Sequence, residues 1–289
     1  MGCGVWREDT FRSYSRRMGR TVGADGKLAG DMRNQDIFAA RTLDPMLDPR
    51  DAVRECCDNA EHPATIPVIL ALDVTGSMGQ AAVEVAKQLN VIMTKLYDKV
   101  KDVEFMVMGI GDFAYDRCPL QVSQFESDIR IAEQLDKIYF EFGGGGNIYE
   151  SYTAAWYFAV NHVRLDAWER GKKGLIITMG DEAINPYIPG ERLGKVTGRQ
   201  IDKDVDTADL LPEVLDKYEV YHIYVDHRGH RNLERDLESL EKMLGKQQIR
   251  VAGLDKIADE IIRIVTAHAG NEALKKGRVE LPKAVGISW

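Results

Sequence analysis

The 289-residue sequence is poor in the features that mark secreted disulfide scaffolds and membrane proteins. It has four cysteines, none in a Cys-x-x-Cys pair, and no long apolar run. A chain of this length can bury a core without disulfide bonds, and a membrane-spanning helix needs about 20 apolar residues. No signal-peptide core follows Met1. We therefore expect a cytoplasmic protein with no membrane segment.

Positive charge is also scarce. There are 38 Lys and Arg against 46 Asp and Glu, which gives a formal net charge of −8. An acidic chain repels phosphate backbones, so we expect no nucleic-acid partner. No Gly-Lys-Ser/Thr phosphate loop occurs, and Gly109-Ile110-Gly111 lacks the third glycine of a dinucleotide loop. No hydrolase signature stands out either, and we predict that the protein is not an enzyme.

Residues 1–63 differ in pattern from the rest of the chain. Two Asp-Pro steps and the glycines at 19, 23, 26 and 30 interrupt them, and no helical or strand periodicity is sustained. This pattern predicts an extended N-terminal arm with one short helix around 50–58. Nine apolar residues could anchor it: Val5, Trp6, Phe11, Tyr14, Ile37, Phe38, Leu43, Met46 and Leu47. We expect the arm to pack against the domain or a partner, the alternative being a tail that orders only on an external partner.

From residue 66 onward, short apolar runs alternate with amphipathic segments. The predicted strands are 66–72, 103–110, 120–122, 175–178, 220–225 and 249–251. The predicted helices are 79–99, 127–138, 148–169, 207–217, 232–244 and 255–268. This alternation predicts an α/β fold with a doubly wound, mostly parallel sheet flanked by helices. We expect one domain over residues 64–270 and a C-terminal tail over 271–289.

Four predicted strands are followed by an aspartate: Asp73, Asp112, Asp181 and Asp226. The carboxyl ends of parallel strands share one edge of a sheet, so these carboxylates should gather there. Like charges at one edge repel unless a cation or basic groups compensate them. Histidines 222, 227 and 230 surround the last of these strand ends, and we interpret them as solvated loop residues, with a zinc site as the alternative.

The first of these aspartates opens the run Asp73-Val74-Thr75-Gly76-Ser77. It supplies a carboxylate and two hydroxyls at alternate positions in a turn between strand and helix, and such oxygens suit Mg²⁺ or Mn²⁺. Gly76 allows the tight backbone that turns both hydroxyls inward. The same hydroxyls could instead cap the following helix, and the residues alone leave both interpretations open.

This run resembles the Asp-x-Ser/Thr-x-Ser motif of von Willebrand factor A domains, where it forms the metal-ion-dependent adhesion site. The stretch from Asp73 to Gly79 is similar to the form found in stand-alone, intracellular prokaryotic members of the family. The resemblance covers residues 64–269 and implies a doubly wound sheet with one short antiparallel edge strand, for which Leu120–Val122 is the candidate.

The resemblance also implies a ligand set. In the family, the hydroxyls matching Thr75 and Ser77 bind the metal directly, and the carboxylate matching Asp73 acts nearby, often through water. A threonine on a second loop and an aspartate after the fourth strand complete the site. Asp181 is the candidate for the latter, although it comes two residues later than usual, with Glu182 behind it.

No threonine stands at the expected place in the second loop, residues 143–151. Asn147 could offer its carbonyl oxygen to the metal, and Glu150 or a backbone group are the other candidates. Asn147 and Glu150 also form a good capping pair for the helix that follows, so capping remains an alternative.

The resemblance implies a metal-dependent protein-binding module or scaffold. Two carboxylates balance one Mg²⁺, so an open position remains for an Asp or Glu of a protein partner, such as an AAA+ ATPase or a larger assembly. The alternatives are a Mg²⁺-dependent hydrolase of phosphate esters, with Arg117 and Arg228 as anion clamps, and a structural component with a vestigial site.

Overall fold

The computed structural model describes residues 4–141, 148–227 and 232–276. The strands of this described part are β1 (Arg54–Cys56), β2 (Ile66–Asp73), β3 (Val103–Ile110), β4 (Leu120–Val122), β5 (Tyr149–Glu150), β6 (Val163–Leu165), β7 (Gly174–Gly180), β8 (Ala183–Ile184), β9 (Tyr187–Ile188), β10 (Val205–Asp206), β11 (Tyr218–Val225) and β12 (Ile249–Ala252). Its α-helices are α1 (Glu8–Arg17), α2 (Asn34–Ile37), α3 (Gly79–Tyr97), α4 (Arg130–Leu135), α5 (Thr153–Asn161), α6 (Asp166–Glu169), α7 (Gly190–Thr197), α8 (Thr207–Lys217), α9 (Leu233–Leu244) and α10 (Ile257–Lys276). None of these helices is both long and apolar enough to cross a membrane.

Six strands form the central sheet in the order β12-β11-β7-β2-β3-β4. Neighbouring strands pair in parallel, except β4, which is antiparallel to β3. The chain builds outward from β2 to β4 and then returns to the other side of β2 to add β7, β11 and β12. The strand order therefore reverses between β2 and β7, and ligands of such sheets bind beyond the carboxyl ends of the strands at this reversal.

Helices cover both faces of the sheet. Val68 and Leu70 of β2 belong to the core under α3 and α10, whereas Ile69 and Ala71 belong to the core under α5 and α8. Successive side chains of a strand point to opposite faces, so a sheet covered on both sides needs strands that are apolar throughout. The doubly wound, mostly parallel α/β fold with one antiparallel edge strand is confirmed.

The helix predicted over 148–169 is wrong, because the structure has β5, α5, β6 and α6 there. Strand β6 pairs in parallel with β1, which belongs to the N-terminal segment. Lys217 Nζ donates to the carbonyl oxygens of Ala159 and Val163, at 3.2 and 2.6 Å, around the end of α5. Residues distant in sequence contact the chain where the helix ends. The local apolar pattern gives no information about these contacts.

The N-terminal segment, which we define as the described residues 4–63, is part of the folded body. It is helical over residues 8–17, so the prediction of an extended arm is wrong there, and the short helix predicted around 50–58 is wrong because β1 lies there. Its expected packing against the domain is confirmed. The buried apolar side chains of the segment that join the main core are Trp6, Phe11, Tyr14, Leu28, Ile37, Phe38 and Leu47.

A buried ion pair fixes this segment to α4. Arg20 Nη1 donates to both carboxylate oxygens of Asp136 at 2.9 and 2.7 Å, and the Tyr14 hydroxyl donates to Asp136 Oδ2 at 2.6 Å. Arg20 Nη2 also donates to the carbonyl of Ile37 at 3.1 Å. The Arg20 and Asp136 side chains are only 8% and 9% exposed. Each charge in this cluster therefore has a partner.

The same segment reaches the edge strand of the sheet and the start of α3. The Val122 N–H of β4 donates to the carbonyl of Leu47 at 2.8 Å, and the Arg54 guanidinium donates to the carbonyl of Val122 at 3.0 Å. Asn34 Nδ2 donates to the carbonyl of Gly79 at 3.1 Å, one residue beyond the turn that follows β2. The N-terminal segment therefore supports both the edge of the sheet and the predicted metal-binding turn.

The last helix is longer than expected. Helix α10 was predicted over 255–268 and continues to Lys276. Its last turns occupy the beginning of the predicted tail, residues 271–289, and the rest of that tail lies outside the described residues.

Candidate metal site

The predicted metal-binding turn begins where β2 ends. Asp73 is the last residue of β2 and its side chain is fully buried. The Val74 N–H donates to the carbonyl of Ile110 at 2.8 Å, which extends the pairing with β3 by one residue. The chain then makes a 3₁₀ turn over Gly76–Met78 and enters α3. The sheet thus fixes Asp73 rigidly, while Thr75 and Ser77 lie half-buried in the turn above it.

A continuous chain of hydrogen bonds connects four predicted site residues. Asp73 Oδ1 accepts from the backbone N–H and the hydroxyl of Thr75, at 2.8 and 2.6 Å. Thr75 Oγ1 lies 3.3 Å from Ser77 Oγ, which donates to Asp181 Oδ1 at 2.9 Å. Asp73, Thr75, Ser77 and Asp181 therefore converge at the strand-order reversal. The fifth predicted residue, Asn147, lies outside the described residues.

The hydroxyls of the turn do not act as helix caps. Neither Thr75 at the start of the 3₁₀ turn nor Met78 at the start of α3 makes a side-chain capping hydrogen bond. Thr75 and Ser77 instead face carboxylate oxygens. The capping alternative is therefore wrong for this turn.

Asp181 directly follows β7 and has a second partner. His227 Nε2 lies 3.2 Å from Asp181 Oδ2, and the two side chains are 4% and 0% exposed. His222 is also buried, where its ring contacts Thr178 and burial lowers its pKa to about 3. The expectation of solvated histidines is therefore wrong for His222 and His227, because the buried strand β11 and the loop after it hold both. His230 lies outside the described residues.

Negative charge accumulates at this edge. Burial and then the charge of Asp181 raise the pKa of Asp73 well above its ordinary value. Burial and the charge of Asp181 also raise the pKa of Glu182 to about 7. Asp73 Oδ2 has no hydrogen-bond partner among the described residues, and such a buried carboxylate oxygen is costly to leave unpaired. A cation at this position would compensate the charge.

The other two strand-end aspartates behave differently. Asp112 is buried beyond β3, where its Oδ1 accepts from the Ala114 N–H at 2.6 Å and its Oδ2 has no partner among the described residues. Asp226 is half-buried beyond β11, and its backbone N–H donates to the carbonyl of Ala252 at 3.0 Å. Asp112 therefore adds negative charge beside the β2 turn, while Asp226 lies one strand further away.

Asp181 is preceded by Gly180, the last residue of β7. A Cβ atom at Gly180 would lie 1.8 Å from the hydroxyl oxygen of Tyr152, which is fully buried. A Cβ atom at this position would clash with Tyr152, so β7 ends in a glycine. The sequence analysis did not identify Tyr152 and His227 as neighbours of the site. The glycine before Asp181 is the only local sign that Tyr152 packs closely there.

The donors present fit a hard cation. Among the described residues, no group of three or more His, Cys, Asp or Glu side chains is arranged as a metal site. The candidate set differs from such a group because two of its members are hydroxyls. Carboxylate and hydroxyl oxygens are the ligands that Mg²⁺ and Mn²⁺ prefer, and the unpartnered Asp73 Oδ2 is the atom that a cation would satisfy.

Comparison with known proteins supports the fold. No known family model matches the sequence, and no curated protein matches it. The pilus adhesin SpaC from Lactobacillus rhamnosus GG, in its open conformation, is 13% identical over 77% of this chain, with a TM-score of 0.50. The chain spans only 31% of that adhesin. The vWF domain of the pili tip protein Mfa5 from Porphyromonas gingivalis is 12% identical over 76% of this chain and 98% of its own length, with a TM-score of 0.46.

Identities this low bear on the fold alone. The sheet order, with its reversal beside β2 and its antiparallel edge strand β4, agrees with the likeness to the adhesin. The chain has a von Willebrand factor A-like fold.

Proposed function

We propose that the protein is a metal-dependent protein-binding module. Asp73, Thr75, Ser77 and Asp181 hold Mg²⁺ or Mn²⁺ at the carboxyl edge of the sheet, and an Asp or Glu of a protein partner completes the coordination. The proposal rests on the hydrogen-bonded chain of these four side chains, in which Asp73 Oδ2 has no partner among the residues that the structure describes. The bound cation supplies an electrophilic position for a carboxylate oxygen. Asn147 remains a predicted ligand.

Exposed apolar side chains near this edge support binding to a protein. Tyr115 lies in the loop after β3, Ile148 and Tyr149 lie before α5, and Tyr187 lies beyond β7; all four are at least 36% exposed. The Phe113 N–H donates to Ser151 Oγ, which joins the first two of these loops. Tyrosine is enriched in protein interfaces, so these loops form a suitable rim around a metal-bound carboxylate.

The hydrolase alternative has less support. Arg117, one of its two anion clamps, is exposed, and its backbone N–H donates to Glu141 Oε1 at 2.8 Å. Arg228, the other clamp, lies outside the described residues. The AAA+ ATPase partner, the relation to intracellular prokaryotic proteins and the cytoplasmic location remain predictions.

Metal titration of the full chain tests the proposal. Because a ligand that binds only the native state stabilises it, Mg²⁺ at about 100 times its Kd should add roughly 2.7 kcal/mol to the free energy of unfolding. Asp73→Ala and Ser77→Ala should abolish calorimetric binding of Mg²⁺ and Mn²⁺ while circular dichroism stays native. Ser13→Ala, an exposed serine on α1, is the matched control and should bind like the wild type.

Two results would contradict the metal site. One is the same melting curve in EDTA and in excess Mg²⁺, together with no heat on titration. The other is unfolding of both site variants, which would make the turn a structural element. A displayed random-peptide library, selected in Mg²⁺ and eluted with EDTA, then tests the partner chemistry: enriched peptides should share an Asp or Glu, and enrichment without an acidic residue would exclude a partner carboxylate.

A further inference from the structure

A cavity of about 200 Å³ lies at the amino edge of the central sheet, opposite the candidate metal site. Ile66, the first residue of β2, lines it together with Asp102 just before β3 and Lys173 just before β7. Because β2 lies between β3 and β7, the cavity adjoins the beginnings of three adjacent strands. Its volume is smaller than that of cavities that hold drug-sized ligands, so a ligand that fits it is small.

Positive charge dominates the lining of this cavity. Among the described residues that line it, Lys101, Arg170, Lys172 and Lys173 are cationic, whereas Asp102 alone is anionic. The chain as a whole is acidic, with a formal net charge of −8. A concave site lined by one sign of charge attracts ions of the opposite sign. The lining therefore has the electrostatic character of an anion site.

Two of these lysines make no ion pair with a carboxylate among the described residues. Lys101 is exposed. Lys173 Nζ donates to the carbonyl oxygen of Leu215, which uses one of its three donors and brings no full negative charge. Asp102, the carboxylate of the lining, already contacts His62 Nδ1 at 3.3 Å. Lys101 and Lys173 therefore retain donors for a bound anion.

Hydrogen bonds fix the wall that carries Arg170. Asp58 accepts from the Arg170 guanidinium, and its Oδ1 also accepts from the backbone N–H and the hydroxyl of Thr65 at 3.0 and 2.8 Å. Arg170 Nη2 donates to the carbonyl of Thr65 at 2.9 Å. The adjoining Ile66 N–H donates to the carbonyl of Asp102 at 2.7 Å. A preorganised wall of this kind lowers the entropy cost of binding.

The rest of the described lining is mostly aliphatic. Ala64, Ile66, Ala167 and Ala269 contribute it. Ligand pockets typically combine such an apolar lining with a few polar groups that fix the orientation of the ligand. An anion with a short apolar body matches this lining better than a bare inorganic ion does.

We propose that this cavity binds a small organic anion, a carboxylate or a phosphate monoester. Its charged group lies among Lys101, Arg170 and Lys173, and its apolar part contacts Ile66 and the alanines. The inference is independent of the proposed metal site, because the two sites lie at opposite edges of the sheet.

Calorimetric titration of the full chain tests the assignment. The protein is treated with EDTA and dialysed into a phosphate-free buffer, so that no cation offers a carboxylate another site. The probes are benzoate, phenyl phosphate and the neutral benzamide, at constant ionic strength. We expect at least one of the two anions to bind with a Kd at least about tenfold lower than that of benzamide, because its hydrogen bonds are charge-assisted.

The double variant Lys101→Gln/Lys173→Gln removes both uncompensated charges and should raise the Kd of that anion at least about tenfold. The matched control is Lys242→Gln/Lys246→Gln, which removes two exposed lysines at the end of α9 and just after it. It changes the net charge equally and should stay within about twofold of the wild type. If the double site variant does not fold, Lys101→Gln alone should raise the Kd about threefold.

The outcomes are distinct. Weaker binding in the site variant alone supports the inference, and the anion that binds identifies the chemical class. The inference is overturned if neither anion binds the wild type, if benzamide binds as tightly as the anions, or if the site variant and the control have equal Kd values. None of these results bears on the proposed function, since they are obtained without metal.

Discussion

The junction of the N-terminal segment and the carboxyl edge of the sheet each bury a carboxylate, but they treat it in opposite ways. Asp136 receives hydrogen bonds from a guanidinium and a phenol, so its charge is matched. Asp73 lies near Asp181 and retains an oxygen with no partner among the described residues. The compensated charge of Asp136 therefore belongs to the architecture, whereas the uncompensated one of Asp73 is the charge that a bound cation would stabilise.

The largest expected effect on stability comes from a substitution of Asp136. Asp136→Ala leaves the Arg20 guanidinium buried without its carboxylate, so we expect a loss of about 3–5 kcal/mol in the free energy of unfolding. Urea denaturation in EDTA measures it. The control is Glu191→Ala, which removes an exposed pair with Lys195 and should leave the free energy of unfolding nearly unchanged. A loss at Asp136 as small as that of the control would mean that the ion pair does not fix the segment.

Substitution of Asp73 should change the free energy of unfolding in the opposite direction, towards greater stability in the absence of metal. Asp73→Asn keeps an oxygen that can accept from Thr75 and removes a charge that Asp181 opposes. In EDTA at pH 7.5, we expect the variant to be more stable than the wild type. Excess Mg²⁺ should reverse the order, since only the wild type binds it. Destabilisation of Asp73→Asn in EDTA would show that the carboxylate is already compensated within the chain.

Glu104 provides a third case: it is a buried carboxyl group next to the N-terminal segment, and no Lys or Arg side chain among the described residues forms an ion pair with it. Cys56 Sγ lies 3.3 Å from Glu104 Oε2, and burial raises the pKa of Glu104 from 4.5 to about 7. The native state therefore holds a proton that the unfolded chain has lost, so stability should fall as pH rises from about 4.5 to about 7.

Urea denaturation at pH 5.5 and 7.5, in EDTA, should show this fall in the wild type. Glu104→Gln should reduce the fall by about 1 kcal/mol. The variant Cys57→Ser, at the half-buried neighbouring thiol, should keep the wild-type slope. Equal slopes in Glu104→Gln and the wild type would assign the pH dependence to other carboxyls.

The sequence predicts the sheet well because its strands are buried on both faces. The run 66–72 has no polar residue, and a buried parallel strand is the structure that needs this composition. Helix α8 was predicted with the bounds it has, Thr207–Lys217, and Asp206 caps it through hydrogen bonds to the next turn. Such local signals lie entirely within the segment that they describe.

Contacts between distant segments are what the sequence could not provide. Nothing near Val163 indicates that β6 will pair with Arg54–Cys56, about a hundred residues earlier. In the site, the motif from Asp73 to Ser77 identifies three of the four clustered side chains. Asp181 was predicted from its position after a strand. The burial of Glu150 and the contact of His227 with Asp181 depend on how two loops cross the sheet, and no spacing along the chain encodes that crossing.

The hydrogen bonds from β4 to Leu47 and Arg54 also bear on self-association. An open outer strand offers unpaired backbone groups to a strand from another molecule, and such edges are sites of aggregation. Here Val122 uses both its N–H and its carbonyl toward the N-terminal segment. The N-terminal segment thus covers the edge strand of the sheet. A truncated chain without this segment would expose β4 and should have a greater tendency to self-associate.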